Sequence, residues 1–322
     1  MRLEIEHAFA FAYDGYISES FLELRVQPKT TRAQTVLSFG LAVGPRARVY
    51  RYVDWNDNVT HHFTITKFHE RIEVTATSLV ETRAPATALA DVGPAAAVDE
   101  LPYPLLDFLG FGGPVRLTPA LRAAHGALAK SRGAALGEQV AALGKALRER
   151  FEYQKDVTRY DSTTEDFLKL GRGVCQDFAH LMLGLLRLSQ IPCRYVSGYL
   201  HVDRKKREPS QSHAWVEFYA PGPGWVAFDP THGRPVDEHY VVVGHGRHYD
   251  DVPPNKGIYR GTASETLTAQ VYTRPVTGSA IPRATDDVRA IDLKTFAAAP
   301  ARRSTPAVPS AAEEQAEQQQ QQ

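Results

Sequence analysis

Along residues 178–188 the apolar positions Phe178, Leu181, Met182, Leu185, Leu186 and Leu188 recur at steps of three and four. That period puts them on one face of a helix. Gly173 suits a tight entry into it, and Gly184 weakens it slightly while letting another element pack close. The helix should stop near Ser189-Gln190-Ile191, because Pro192 disfavours helical geometry at the residue before it. Cys193–Leu200 then reads as a strand. From Ser212 to Tyr219 the pattern alternates. Ala214, Val216 and Phe218 fall on one side, and His213, Trp215, Glu217 and Tyr219 on the other. Pro221-Gly222-Pro223-Gly224 signals a turn, and Trp225–Asp229 reads as the returning strand. Folding this hairpin about residue 221 sets His213 nearly opposite Asp229, a separation of about 4.5–5.5 Å between Cβ atoms.

The first 85 residues alternate on a shorter period. Phe21–Val26, Phe63–Thr66 and Arg71–Thr77 read as strands, with Asp54-Trp55-Asn56-Asp57-Asn58 as a turn between two of them. This predicts a β-sandwich-like N-terminal domain. His61 and His62 are adjacent, so on a strand they face opposite sides and do not share a metal. Residues 86–117, rich in alanine, proline and glycine, form the connection. Thr118-Pro119 opens a helix as N-cap and first helical position, and a second helix spans 136–149. Ser162-Thr163-Thr164-Glu165 has capping-box spacing.

Chemistry concentrates at the predicted helix entry. Cys175 falls in its first turn, where unpaired N–H groups and the helix dipole create positive potential. That potential favours thiolate over thiol, and the same N–H groups suit a developing oxyanion. Asp229 would hold one imidazole nitrogen of His213 and leave the other for the thiol. The competing readings are a buried structural cysteine and an ordinary strand histidine in a surface pair. Cys193, inside a predicted strand, is taken as structural.

The segments Gly173-Val174-Cys175-Gln176-Asp177-Phe178-Ala179-His180, Ile191–Tyr199, Ser212-His213-Ala214-Trp215-Val216-Glu217 and Gly224–Thr231 resemble the transglutaminase-like superfamily. The likeness is to its bacterial branch with an extra β-rich N-terminal domain. Tyr52–Asn58, His69–Ala76 and Val243–Pro254 resemble that branch too, so most of residues 1–275 is covered. The resemblance implies an α+β fold: a papain-like transglutaminase core of N-terminal helices plus an antiparallel sheet. It implies domains at 1–100 and 101–275, and a Cys175, His213 and Asp229 triad acting on amide bonds. Tyr153, Gln154, Gln176 and Trp215 are further candidates for substrate or oxyanion contact. His232 and His248 depart from the residues usual in the branch, and neither is expected to touch the triad. The expected function is amide hydrolysis of a peptide, protein or small amide through a thioester. Acyl transfer to an amine is the alternative, and an inactive binding scaffold is a third reading.

Composition narrows this further. With 322 residues there is room for two domains. Lys plus Arg and Asp plus Glu both total 37, so nothing globally basic points to nucleic acid. No apolar run is long enough to predict a membrane span, and the charged N-terminal residues lack a secretory apolar core. Only two cysteines occur, which argues against a disulfide scaffold and suits a reducing cytoplasm. No dense acidic cluster suggests calcium, and no cofactor or metal is expected. His201–Glu208 reads as a solvated loop, the sharper alternative being a basic rim favouring acidic substrates. Residues 276–322 form a proline-, alanine- and glutamine-rich tail, expected to be disordered beyond about residue 300.

Overall fold

The computed structural model describes residues 1–129, 135–202, 212–277 and 286–298. The basic residues 204–207 and the tail beyond residue 298 lie outside the described residues. The N-terminal strands are β1 (Arg2–Ile17), β2 (Glu19–Leu24), β3 (Gln34–Gly44), β4 (Val49–Val53), β5 (Val59–Ile65) and β6 (His69–Thr82). Their alternation buries one face of each sheet: Phe9, Phe11, Leu22, Leu24, Phe39, Leu41, Phe63 and Val74 form one core. The predicted turn joins β4 to β5. The Asp54 carboxylate accepts the N–H groups of Asn56 and Asn58, each at 2.9 Å. His61 stacks on Phe39 and His62 on Tyr50, so adjacent strand residues do face opposite sides.

The middle of the chain supplies α1 (Pro119–Leu128), α2 (Leu136–Arg150), β7 (Glu152–Tyr153), α3 (Thr164–Leu170), β8 (Arg172–Gly173) and α4 (Cys175–Leu188). Thr118 caps α1, its side chain accepting the N–H of Leu121 at 3.2 Å. The capping box of α3 uses Thr163 and Asp166, one residue later than Ser162 and Glu165. Both pairs have the same spacing, and packing of Phe167 into the core selects between them. Five strands follow: β9 (Cys193–Leu200), β10 (His213–Ala220), β11 (Gly224–Asp229), β12 (Arg234–Pro235) and β13 (Tyr240–Gly246). They form an antiparallel sheet in the order β12-β11-β10-β9-β13. Helix α4 lies against its central strands, with Leu181, Leu185, Ala214, Val216, Phe218 and Phe228 in one buried cluster. The architecture is α+β, a transglutaminase-like core behind an N-terminal β-rich region.

The chain then returns to the N-terminal domain. β14 (Asn255–Arg260) pairs with β2, β15 (Glu265–Pro275) with β1, and β16 (Asp286–Ala290) with β3. The two N-terminal sheets thus run β15-β1-β6-β3-β16 and β14-β2-β5-β4. Residues 255–275, read from sequence as part of the core, complete the N-terminal sheets, and a strand lies within the segment read as tail. Strand pairing over such a separation leaves no local trace in sequence. The two domains share a buried seam, in which Leu3, Ile5, Val80 and Val271 meet Tyr199, Val241 and Val243. Gln34 closes it with two bonds to the backbone of Val242, at 2.9 and 2.8 Å.

Candidate active site

Gly171 ends α3 in the left-handed region, with φ 72°, and turns the chain into β8. β8 pairs in parallel with β7, which brings Tyr153 beside Gly173. The Gln154 N–H donates to the Gly173 carbonyl at 2.9 Å. Cys175 follows as the first residue of α4. The buried Asp177 carboxylate accepts the Val174 N–H at 2.8 Å and the Thr158 hydroxyl at 2.7 Å, which fixes the entry. The Val174 carbonyl accepts the N–H groups of Asp177 and Phe178. Those of Cys175 and Gln176 come before the first intrahelical bonds.

His213 opens β10 and donates from Nε2 to Asp229 Oδ2 at 2.7 Å. Cys175 lines the same cleft, and with Nε2 committed to Asp229, Nδ1 is the nitrogen left for the thiol. The hairpin register differs from the sequence expectation. Glu217 pairs with Ala227, so the fold axis lies at residue 222 and Asp229 falls against Trp215. His213 and Asp229 are therefore diagonal neighbours, at a separation their side chains still bridge.

Asp229 is fully buried. Besides His213, its Oδ2 accepts from His232 Nδ1 at 2.7 Å and from the Tyr240 hydroxyl at 2.8 Å. Its Oδ1 accepts the N–H groups of Thr231 and His232, at 2.8 and 3.2 Å. The expectation that His232 stands clear of these groups is thus corrected: a three-residue step at the end of β11 wraps the chain around the carboxylate. His248, by contrast, lies beside Asp250 at 3.7 Å, away from Asp229. Tyr240 was missed by the sequence reading, because it reaches Asp229 from β13 across the sheet.

These contacts set the electrostatics. Burial opposes charge on His213, but the Asp229 carboxylate and the neighbouring Cys175 outweigh it and raise the imidazole to about 10. Burial also opposes charge on Asp229, yet the His213 and His232 bonds keep it ionised well below the usual carboxylate range. Cys193 is buried, and burial pushes its thiol up to about 11, in keeping with a structural role. Ligand atoms of His213, Asp229 and His232 lie within 4.8 Å of one another, the spacing of a metal-ligand set. Both imidazoles here bond the carboxylate directly, each through one ring nitrogen.

A cleft of about 590 Å³ opens on Cys175 and His213. Tyr153, Gln176 and His232 line it, and from the N-terminal domain so do His7, Phe9 and Val271. The Cys175 charge and burial both raise the Tyr153 phenol, burial being the larger cause. Gln176 donates to the Tyr160 carbonyl at 2.7 Å. Gln154 contributes its backbone rather than a cleft-lining side chain. Trp215 does not line the cleft: it is fully buried, edge-on to Tyr240, and borders a second cavity of about 510 Å³. Alternation alone put it on the His213 side, but His213 stands at the strand's start whereas Trp215 is enclosed by the sheet.

Residues 123–230 match the model of the transglutaminase-like superfamily, and residues 3–81 that of the bacterial transglutaminase-like N-terminal region. "Uncharacterized protein ML0607" of Mycobacterium leprae is 33% identical over 289 residues, 84% of this chain and 97% of that protein. A Pseudomonas aeruginosa protein named "Protein-glutamine gamma-glutamyltransferase" is 27% identical over 141 residues, 38% of this chain and 21% of that protein. A Cytophaga hutchinsonii structure named "Putative Cysteine Protease" shares the fold. It has a TM-score of 0.71 at 22% identity and covers 87% of this chain and 92% of that one. This chain belongs to the transglutaminase-like superfamily.

Proposed function

We propose that the protein is a cysteine-dependent amide hydrolase using Cys175, His213 and Asp229. The observation that carries this reading is that Cys175, at the first turn of α4, and His213, held by the buried Asp229 carboxylate at 2.7 Å, face the same cleft. Cys175 attacks the amide carbonyl. The free N–H groups at the start of α4 and the Tyr153 hydroxyl, which lines the cleft, are the donors assigned to the developing oxyanion. His213, as imidazolium, protonates the leaving amine while Asp229 holds its orientation. Water then attacks the thioester, with His213 as the base. The substrate class is a peptide, protein or small amide.

Acyl transfer, in which an amine replaces water at the thioester, is the second reading. The name of the Pseudomonas relative favours it, although the matched region is 21% of that protein.

The test is alkylation by iodoacetamide, read by peptide mass spectrometry at Cys175 and Cys193. At neutral pH Cys175 is expected to react rapidly in the wild type, and at least ten-fold more slowly in His213→Ala, within the range assigned to a positioned proton acceptor. Cys193 should stay silent in both. Equal Cys175 rates in the two proteins would remove the basis for the reading. Product analysis with and without hydroxylamine then separates the two reactions: free acid throughout marks hydrolysis, and hydroxamate at the expense of acid marks transfer.

A further inference from the structure

The wall of the cleft carries charge of one sign. Among the described residues its lining includes Arg148 and Lys155 and no aspartate or glutamate, in a chain with 37 acidic and 37 basic residues. Neither cation has a carboxylate partner among the described residues. Arg148 is fixed at the end of α2, where its guanidinium donates to the Thr231 carbonyl at 3.0 Å, two residues from Asp229. Lys155 follows the segment that the Gln154 N–H ties to Gly173, two residues before Cys175. The cations thus belong to segments anchored on either side of the thiol–imidazole pair. The nearby carboxylates are spoken for: Asp229 accepts three side-chain donors and Asp177 accepts Val174 and Thr158. His7 on the opposite wall stays neutral, because burial holds it down to about 3. A concave site lined by one sign concentrates counter-charged ligands.

We propose that the cleft selects acyl donors carrying a carboxylate near the scissile amide, with Arg148 and Lys155 as the groups that bind it. This rests on the reading of Cys175 as nucleophile.

Two alkylating agents of nearly equal size test it. Iodoacetate and iodoacetamide both react by thiolate displacement of iodide, forming the S–C bond as the C–I bond breaks, but only iodoacetate is an anion. His213 favours the anion in every variant, so the readout is the change in the iodoacetate-to-iodoacetamide rate ratio at Cys175. Lys155→Glu and Arg148→Gln are expected to lower that ratio about three- to ten-fold, a readout from which any change in thiol reactivity common to both reagents cancels. Added salt should lower the wild-type ratio and leave the variants less affected. A ratio equal in wild type and both variants overturns the proposal. Lys155 is exposed, so its variant is expected to fold. If Cys175 is silent toward iodoacetamide, the nucleophile reading fails instead. Calorimetric titration with glutarate and with the peptide acetyl-Glu-Gln-Glu-amide then still reads the cationic wall. Heat for glutarate, lost in Lys155→Glu, supports a small acid. Heat for the peptide alone supports an acidic peptide, and heat unchanged by the substitution overturns the proposal.

Discussion

Asp229 is the residue on which the site turns, because three side chains converge on one of its oxygens. A hydrogen bond to a buried charge contributes about 1.5–3 kcal/mol. Tyr240→Phe removes such a bond from within the sheet, and urea unfolding should show a loss of that size. His232→Ala removes one from a side chain that is 42% exposed, so its cost should be smaller, and His232→Asn, which retains a donor, should recover part of it. The pH dependence follows from the same contacts. His213 is raised, so its contribution is full below its unfolded value of 6.5 and is lost as pH rises through about 10. Asp229 is depressed, so its contribution is present above 3.8 and is lost as pH falls through its folded value. The stability difference between wild type and His213→Ala should therefore be largest between about pH 4 and 6.5 and shrink on the alkaline side, as melting curves across pH would show. A difference that grows with alkalinity would contradict the His213 contacts.

Among the elements, the β10–β11 hairpin shows what alternation conveys and what it leaves open. Folding about residue 221 or 222 preserves parity, so His213, Trp215 and Asp229 share a face either way. On its other edge β10 pairs with β9, Trp215 against Val196 and His213 against Gly198. Gly198 is where that packing is tightest. A Cβ there would lie 2.1 Å from the Val241 carbonyl oxygen and 2.4 Å from the Trp215 ring. Because one obstacle is backbone, Gly198→Ala should cost about 3 kcal/mol or more and displace the strand that carries His213. Thermal unfolding together with the Cys175 alkylation rate checks both consequences. Helix α4 was the most legible element: its apolar period, its entry at Cys175 and its end before Pro192 are all local properties.

For the whole molecule, the two domains act as one body at the cleft, since His7, Phe9 and Val271 stand in the same wall system as Cys175. The last long strand, β15, is what makes this possible. It lies along β1 from Leu3 to Tyr13 and buries Val271 against the core sheet. A chain ending at residue 254 loses β14, β15 and β16, and exposes Leu3, Ile5 and Tyr199. Size-exclusion chromatography and urea unfolding should show association or loss of a single cooperative transition. A monomeric, cooperatively unfolding truncation would mean that the seam contributes little.

Periods of two and near four residues, capping spacing and the positions of proline and glycine are local, and they settled helices α1, α2 and α4, the β10–β11 hairpin and the placing of Cys175, His213 and Asp229 at element ends; the α+β class came from the family resemblance. Sequence alone did not settle the hairpin register, the return of residues 255–275 to the first domain, the enclosure of Trp215, or the grip of His232 and Tyr240 on Asp229. Those depend on which strands pair across long separations, and pairing energy is realised only when distant surfaces are buried together.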